Sequence, residues 1–203
     1  MHKDIRYIIG IDEVGRGPLA GPLCVGACAV SRRSSGRTLS LFRGVKDCKQ
    51  LSPEKRMRWF ERIKSAMAQK RLTVATSFVS EKTIDRRGIA FALKIAICRA
   101  LKRLGFSPGR CRVLLDGGIK APRAFPFQET IIGGDEKEPL IALASIAAKV
   151  RRDRYMVRLA RRFPLYGFEI HKGYGTRAHY RALHLHGLSP VHRKSFLKKF
   201  LIV

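Results

Sequence analysis

The chain has 203 residues and a mass of 22.9 kDa, enough for one domain with a short appendage and too little for a fusion of two enzymes. Its 45% hydrophobic content supports an ordinary core, but 42 Lys and Arg against 15 Asp and Glu leave a formal charge of +27. That balance points to a polyanion, with nucleic acid first and an anionic membrane surface second, and no run approaches the ~18 apolar residues needed to span a bilayer.

In chain order, the Ile-rich run Tyr7 to Ile11 predicts a buried strand ending at Asp12. A turn rich in Gly and Pro follows, then a second strand over Leu23 to Val30 and a basic hairpin loop over Ser31 to Arg37. Ser52 and Pro53 form an N-cap and first-turn pair, and Met57, Phe60, Ile63 and Met67 recur at helical spacing behind them. Leu72 to Val79 predicts a third strand. Ile89, Leu93, Ala96, Ile97, Ala100, Leu101 and Leu104 then form one apolar helical stripe closed by Gly105. Short strands are expected over Arg112 to Leu115, ending at Asp116, and over Phe127 to Ile132, just before Asp135. Pro139 opens a long helix reaching about Phe163, and a short helix is expected from Thr176 to His186. Three early strands followed by strand and helix alternation predict an α/β fold, a mixed five-stranded sheet with helices on both faces. Residues 1–163 would form the main domain, and 164–203 a small basic helical appendage packed on it.

The five cysteines, Cys24, Cys28, Cys48, Cys98 and Cys111, lack zinc-knuckle spacing and mostly sit in apolar surroundings suited to buried thiols in a reducing compartment. Asp12 and Glu13 fall where a signal peptide would continue its apolar stretch, so a soluble cytoplasmic protein is expected.

With acids this scarce, their placement is informative. Asp12, Glu13, Asp116 and Asp135 all fall at or just beyond strand ends, where residues of an open α/β sheet converge on one crevice. Carboxylates that close raise one another's pKa unless cations separate them, and hard ions such as Mg²⁺ or Mn²⁺ take such oxygen ligands. The pattern predicts a metal-dependent phosphoryl-transfer site built on two ions. Because neighbours on a regular strand face opposite ways, sharing between Asp12 and Glu13 calls for a break in the pleat. Gly15, Arg16 and Gly17 follow at once, a turn able to bring backbone and a forked donor close to a sugar or phosphate. In HKGYGT, Tyr174 between glycines suits stacking on a base, with His171 and Lys172 near phosphates. The long helix carries Lys149 and Arg152, and Arg151, Arg154, Arg158, Arg161 and Arg162 recur along it as one stripe suited to phosphates. Ser145 fits either helix packing or the site. A non-catalytic basic nucleic-acid-binding protein would also explain the charge, though not the position of the acids.

The segments GIDEVGRGPLAGP (10–22), KDCKQLSPEKR (46–56), TIDRRGIAFA (83–92), LLDGG (114–118), GGDEKEPLIALASIAAKVRRDR (133–154), HKGYGTRAH (171–179) and HRKSF (192–196) together resemble ribonuclease HII, the type 2 RNase H family. The resemblance implies an RNase H-like fold and Mn²⁺- or Mg²⁺-dependent hydrolysis of RNA in RNA/DNA hybrids. It also implies incision 5′ to single ribonucleotides in duplex DNA, leaving a 3′-hydroxyl and a 5′-phosphate. By position, Asp12, Glu13, Asp116 and Asp135 would be the metal-binding acids, Gly15, Arg16 and Gly17 would read the ribose 2′-hydroxyl, and Tyr174 would stack at the RNA to DNA junction. Cys48, Gly88, Gly134 and Leu143 depart from the usual pattern; Gly134 replaces a lysine common before the last acid. The related ribonuclease HIII carries an extra N-terminal domain, for which the start of the first motif at residue 10 leaves no room. Nothing in the pattern requires more than a monomer.

Overall fold

The computed structural model describes residues 4–45 and 51–198. Cys48 and the terminal run Phe200 to Val203 lie outside them. Five strands, β1 (Tyr7–Val14), β2 (Leu23–Ser31), β3 (Thr73–Val79), β4 (Cys111–Asp116) and β5 (Phe127–Ile131), form one sheet in the order β3-β2-β1-β4-β5. β1 pairs antiparallel with β2 and β2 with β3, whereas β4 runs parallel to both β1 and β5.

Eight α-helices are described: α1 (Ser35–Ser40), α2 (Pro53–Ala68), α3 (Glu81–Arg87), α4 (Ile89–Leu104), α5 (Gly134–Lys137), α6 (Pro139–Arg162), α7 (Phe168–His171) and α8 (Arg177–His186). Their ends have local causes. Ser52 accepts from the Lys55 N–H at 3.3 Å, Ser80 from Thr83 at 3.4 Å and Thr176 from His179 at 3.3 Å, each satisfying an orphan donor of a first turn. Gly105 closes α4 in the left-handed conformation that glycine adopts without strain. The expected hairpin loop at Ser31 to Arg37 is instead a 3-10 turn, Arg32–Ser34, leading into α1. A basic stretch with a single buried residue, Thr38, gives that short helix no apolar stripe to be read by.

Strand alternation divides the core. Ile9, Ile11, Val25, Ala27, Val113 and Leu115 pack with α4 on one face. On the other, Cys28 and Val30 meet Phe60 and Ile63 of α2 and Leu140, Leu143, Ala144 and Ala147 of α6. On that second face, Gly10 and Gly26 clear the way for α6. A Cβ at Gly10 would lie 2.3 Å from the Leu140 carbonyl carbon, and one at Gly26 2.1 Å from the Ala144 oxygen. The helix therefore lies almost on the backbone of the two central strands. A third cluster joins Met156, Leu159 and Ala160 of α6 to Leu19, Tyr166, Phe168, Leu183 and Leu197, fastening the C-terminal helices to the 19–20 turn.

Candidate active site

β1 extends three residues beyond its last pair with β4, Ile11 with Leu115, while its pairing with β2 continues to Val14. The pleat is thus unbroken at Asp12 and Glu13, contrary to the sequence expectation. Both nevertheless line one cleft, because the end of β4 pairing opens that side of β1.

Asp12 is 4% exposed. Burial pushes its pKa up to about 7, assisted by the charges of Glu13 and Asp116 and opposed by hydrogen bonds from the Ser145 hydroxyl and the Glu13 N–H, the latter at 2.7 Å. The close approach of α6 is what brings Ser145 to this carboxylate. Burial likewise raises Glu13, while Arg16, whose guanidinium lies 3.3 Å from Glu13 Oε1, pulls it down. Glu13 Oε2 is buried with no hydrogen-bond partner. Asp116 Oδ1 accepts from the Gly134 N–H at 2.7 Å, so β5 and the turn after it hold the third acid. Asp135, next along in α5, is 6% exposed. At position 134 the backbone does the work, and a Cβ there would come within 2.6 Å of Ile141 Cδ1.

The same cleft is lined by Gly15, Arg16, Gly17 and Tyr174, as the sequence predicts, and by Arg56 and Lys149. Asp153 orients both added cations, with Lys149 Nζ at 2.8 Å and the Arg56 guanidinium at 3.7 Å. Sequence reading did not single out Arg56 for the site; the detectable signal was Asp153, alone among the cations of α6 and four residues from Lys149.

Other candidates lie farther out. Lys172, held at φ 53°, hydrogen-bonds the Glu169 carbonyl and lines an adjoining cleft with Arg154 and Arg158. Arg154 packs on α2, its guanidinium 5.4 Å from the Phe60 ring centre. Arg151 donates to Thr76 on β3 at 3.1 Å and lines neither cleft. His171 does not face phosphates: its Nε2 lies 2.7 Å from the Tyr166 carbonyl, and its Nδ1 accepts from the Gly173 N–H. Arg152 leaves the solvent face of α6 entirely, being fully buried and donating to the carbonyls of Pro22, Ala20 and Lys172.

Among the described residues, no three of His, Cys, Asp and Glu are gathered closely enough to hold a metal ion as they stand. What the site has is a buried carboxylate oxygen with no partner and an acid that burial holds near neutrality, both of which a cation would relieve. Divalent ions bound by oxygen donors fit this set.

The five-stranded mixed sheet, with acids at the ends of its central strands and helices on both faces, defines an RNase H-like α/β protein. The sequence profile of the ribonuclease HII family matches residues 9–199. The chain belongs to that family. The ribonuclease HII of Caldicellulosiruptor bescii is 40% identical over 201 residues, 99% of this chain and 91% of its own. That of Endomicrobium trichonymphae is 42% identical over 195 residues, covering 96% and 87%. Among solved structures, ribonuclease H2 from Pyrococcus horikoshii superposes with a TM-score of 0.73 at 25% identity, covering 95% of this chain and 96% of that one. A chain of the PCNA:RNase HII complex from Archaeoglobus fulgidus gives 0.72 at 28%, covering 92% and 93%.

Proposed function

We propose that the protein is an endonuclease that hydrolyses the RNA strand of RNA/DNA hybrids and incises 5′ to single ribonucleotides in duplex DNA, leaving a 3′-hydroxyl and a 5′-phosphate. It acts as a monomer in the cytoplasm. The observation that carries the reading is the buried carboxylate pair of Asp12 and Glu13, with Glu13 Oε2 left without a hydrogen-bond partner, opening beside the Gly15 to Gly17 turn in a chain of charge +27. Asp12, Glu13, Asp116 and Asp135 would hold two divalent ions, Mn²⁺ or Mg²⁺. Bound there, the ions supply the positive charge that activates the attacking water and stabilises the leaving 3′ oxygen of an in-line displacement.

The protein's own groups do the rest. Ser145 and the Glu13 N–H hold the Asp12 carboxylate, and the Gly134 N–H holds that of Asp116. The Gly15 to Gly17 turn faces the ribose, whose 2′-hydroxyl separates RNA from DNA. Tyr174, 40% exposed, presents its ring for stacking at the junction. Lys172, Arg151 and Arg154 lie outside the cleft and follow the phosphates of the flanking duplex.

A labelled DNA duplex with one ribonucleotide, incubated with Mg²⁺, Mn²⁺ or EDTA beside an all-DNA control, tests this directly. Incision at the 5′ side of the ribonucleotide with either metal, none in EDTA and an intact control are expected. Tight binding without incision in any metal would move the protein to the class of non-catalytic nucleic-acid-binding proteins.

A further inference from the structure

We infer that Arg193, far in sequence from every acid of the site, is the positioning residue that sets the ribose-reading turn. The inference rests on the functional reading above and deepens it. Arg193 is fully buried. Its guanidinium makes four hydrogen bonds, all to backbone carbonyls of one loop: Gly15 at 2.7 Å, Arg16 at 2.9 Å, and Gly21 at 3.0 and 2.8 Å. No carboxylate pairs with it among the described residues, and burial together with the neighbouring Arg152 charge lowers its pKa to about 9. Burying an unpaired guanidinium is costly, and here the return is a fixed loop.

The consequence for the turn follows from peptide geometry. Among the described residues there are no cis peptide bonds, so each N–H points opposite to the carbonyl of its own peptide unit. With the carbonyls of Gly15 and Arg16 drawn inward to Arg193, the N–H groups of Arg16 and Gly17 are turned outward. Both residues are exposed and line the cleft, and no protein acceptor among the described residues meets either N–H. Gly15 is held at φ 95°, and a Cβ there would lie 2.3 Å from Arg152 Nε, so the turn is closed from behind by a second buried arginine. Arg193 is itself fixed: its N–H donates to the Leu19 carbonyl at 2.7 Å, and Asp85 of α3 accepts from the N–H groups of Lys194 and Ser195, each at 2.9 Å. The result is a pair of preorganised donors beside the acids, suited to a hydroxyl or phosphate oxygen of a ribonucleotide.

The test compares wild type with Arg193→Lys, which keeps the charge but not the fork. Each is measured on a duplex with one ribonucleotide, on a long RNA/DNA hybrid, and for binding to all-DNA duplex. The expected result is a fall in kcat of about 100-fold on the single ribonucleotide, with KM and all-DNA affinity little changed. A variant that folds and retains the wild-type kcat overturns the role. Should Arg193→Lys not fold, amide exchange in the wild-type protein in EDTA decides. Protection of the Arg16 and Gly17 N–H groups by the ribonucleotide duplex, but not by all-DNA duplex, upholds the inference, and equal exchange with both overturns it. A wild-type protein that cuts neither RNA-containing substrate removes the functional reading itself, a failure separate from that of Arg193.

Discussion

Asp12 gains its importance from where it is buried. A carboxyl held near a pKa of 7 by burial is half protonated at neutrality, and Glu13 and Asp116 push it further the same way. On the proposed two-ion reading, divalent cations would reverse that balance, so that cleavage would depend on the full charge of these side chains while duplex affinity would come from the basic surface. Asp12→Asn and Asp116→Asn are therefore expected to lose cleavage by at least ~100-fold while fluorescence anisotropy shows duplex binding retained. Cleavage by both variants at the wild-type rate would remove the metal assignment. These acids stood out in the sequence because they are scarce and were expected at strand ends, although in the structure only Asp116 ends a strand, Asp12 and Glu13 lying within β1 and Asp135 in α5. Ser145 was only half legible, since its hydroxyl matters through the strand it meets, and Arg193 appeared only within the HRKSF segment of the resemblance, with no role assigned to it. An arginine in a basic C-terminal stretch looks like surface until the fold carries it across to Gly15 and Gly21.

At the scale of elements, the site depends on how close α6 comes to the sheet. The sequence shows the small residues on the helix, Ala144, Ala147 and Ala148, but the matching glycines Gly10 and Gly26 belong to strands more than a hundred residues earlier. α4 was legible from end to end, because an uninterrupted apolar stripe and Gly105 are both local signals. The packing of α6 on β1 and β2 is not local, so only the structure pairs its two halves. Gly26→Ala sets a methyl against the Ala144 carbonyl, a backbone atom that cannot swing aside. The expected cost is about 1–3 kcal/mol or more, read as a lower urea midpoint with an unchanged slope. Because lifting α6 also carries Ser145 away from Asp12, cleavage should fall in the fraction that remains folded. A variant as stable and as active as wild type would show that the helix has room to move.

The whole molecule must hold a charge of +27 together and present it to a duplex. Replacing Arg154 and Arg158 by Gln is expected to weaken binding to every duplex and to flatten log affinity against log salt by about 0.9 for each phosphate that is no longer neutralised. An unchanged slope would mean that this face of α6 points away from nucleic acid. The C-terminal layer adds a dependence on pH. His179 Nδ1 faces the Tyr174 carbonyl at 2.9 Å and therefore carries the proton, which leaves its Nε2 to accept from His192 Nε2 at 2.9 Å. His192 Nδ1 then accepts from the Ser189 N–H at 2.9 Å and from its hydroxyl at 2.8 Å. Every link of this relay requires neutral rings. Around the pair are the ring of His171, stacked 4.3 Å from His179, and the rings of Tyr166 and Phe168, none of them an anion able to support an imidazolium. Burial lowers both histidines to about 4. The unfolded chain takes up these protons first, so their contribution to stability is complete above pH ~6.5 and is lost as pH falls towards 4, by up to ~1.4 kcal/mol per pH unit for each ring. Asp12 and Glu13, raised by burial, act in the opposite sense in the metal-free protein, which is why a melting curve alone would blur the effect. NMR of the imidazole C–H resonances separates them. His179 and His192 are expected to keep neutral-form shifts down to pH ~5 and to titrate only as the C-terminal layer lets go of Tyr174, whereas titration of either ring near 6.5 in the folded protein would contradict the hydrogen-bonded relay that holds the cleft's aromatic side.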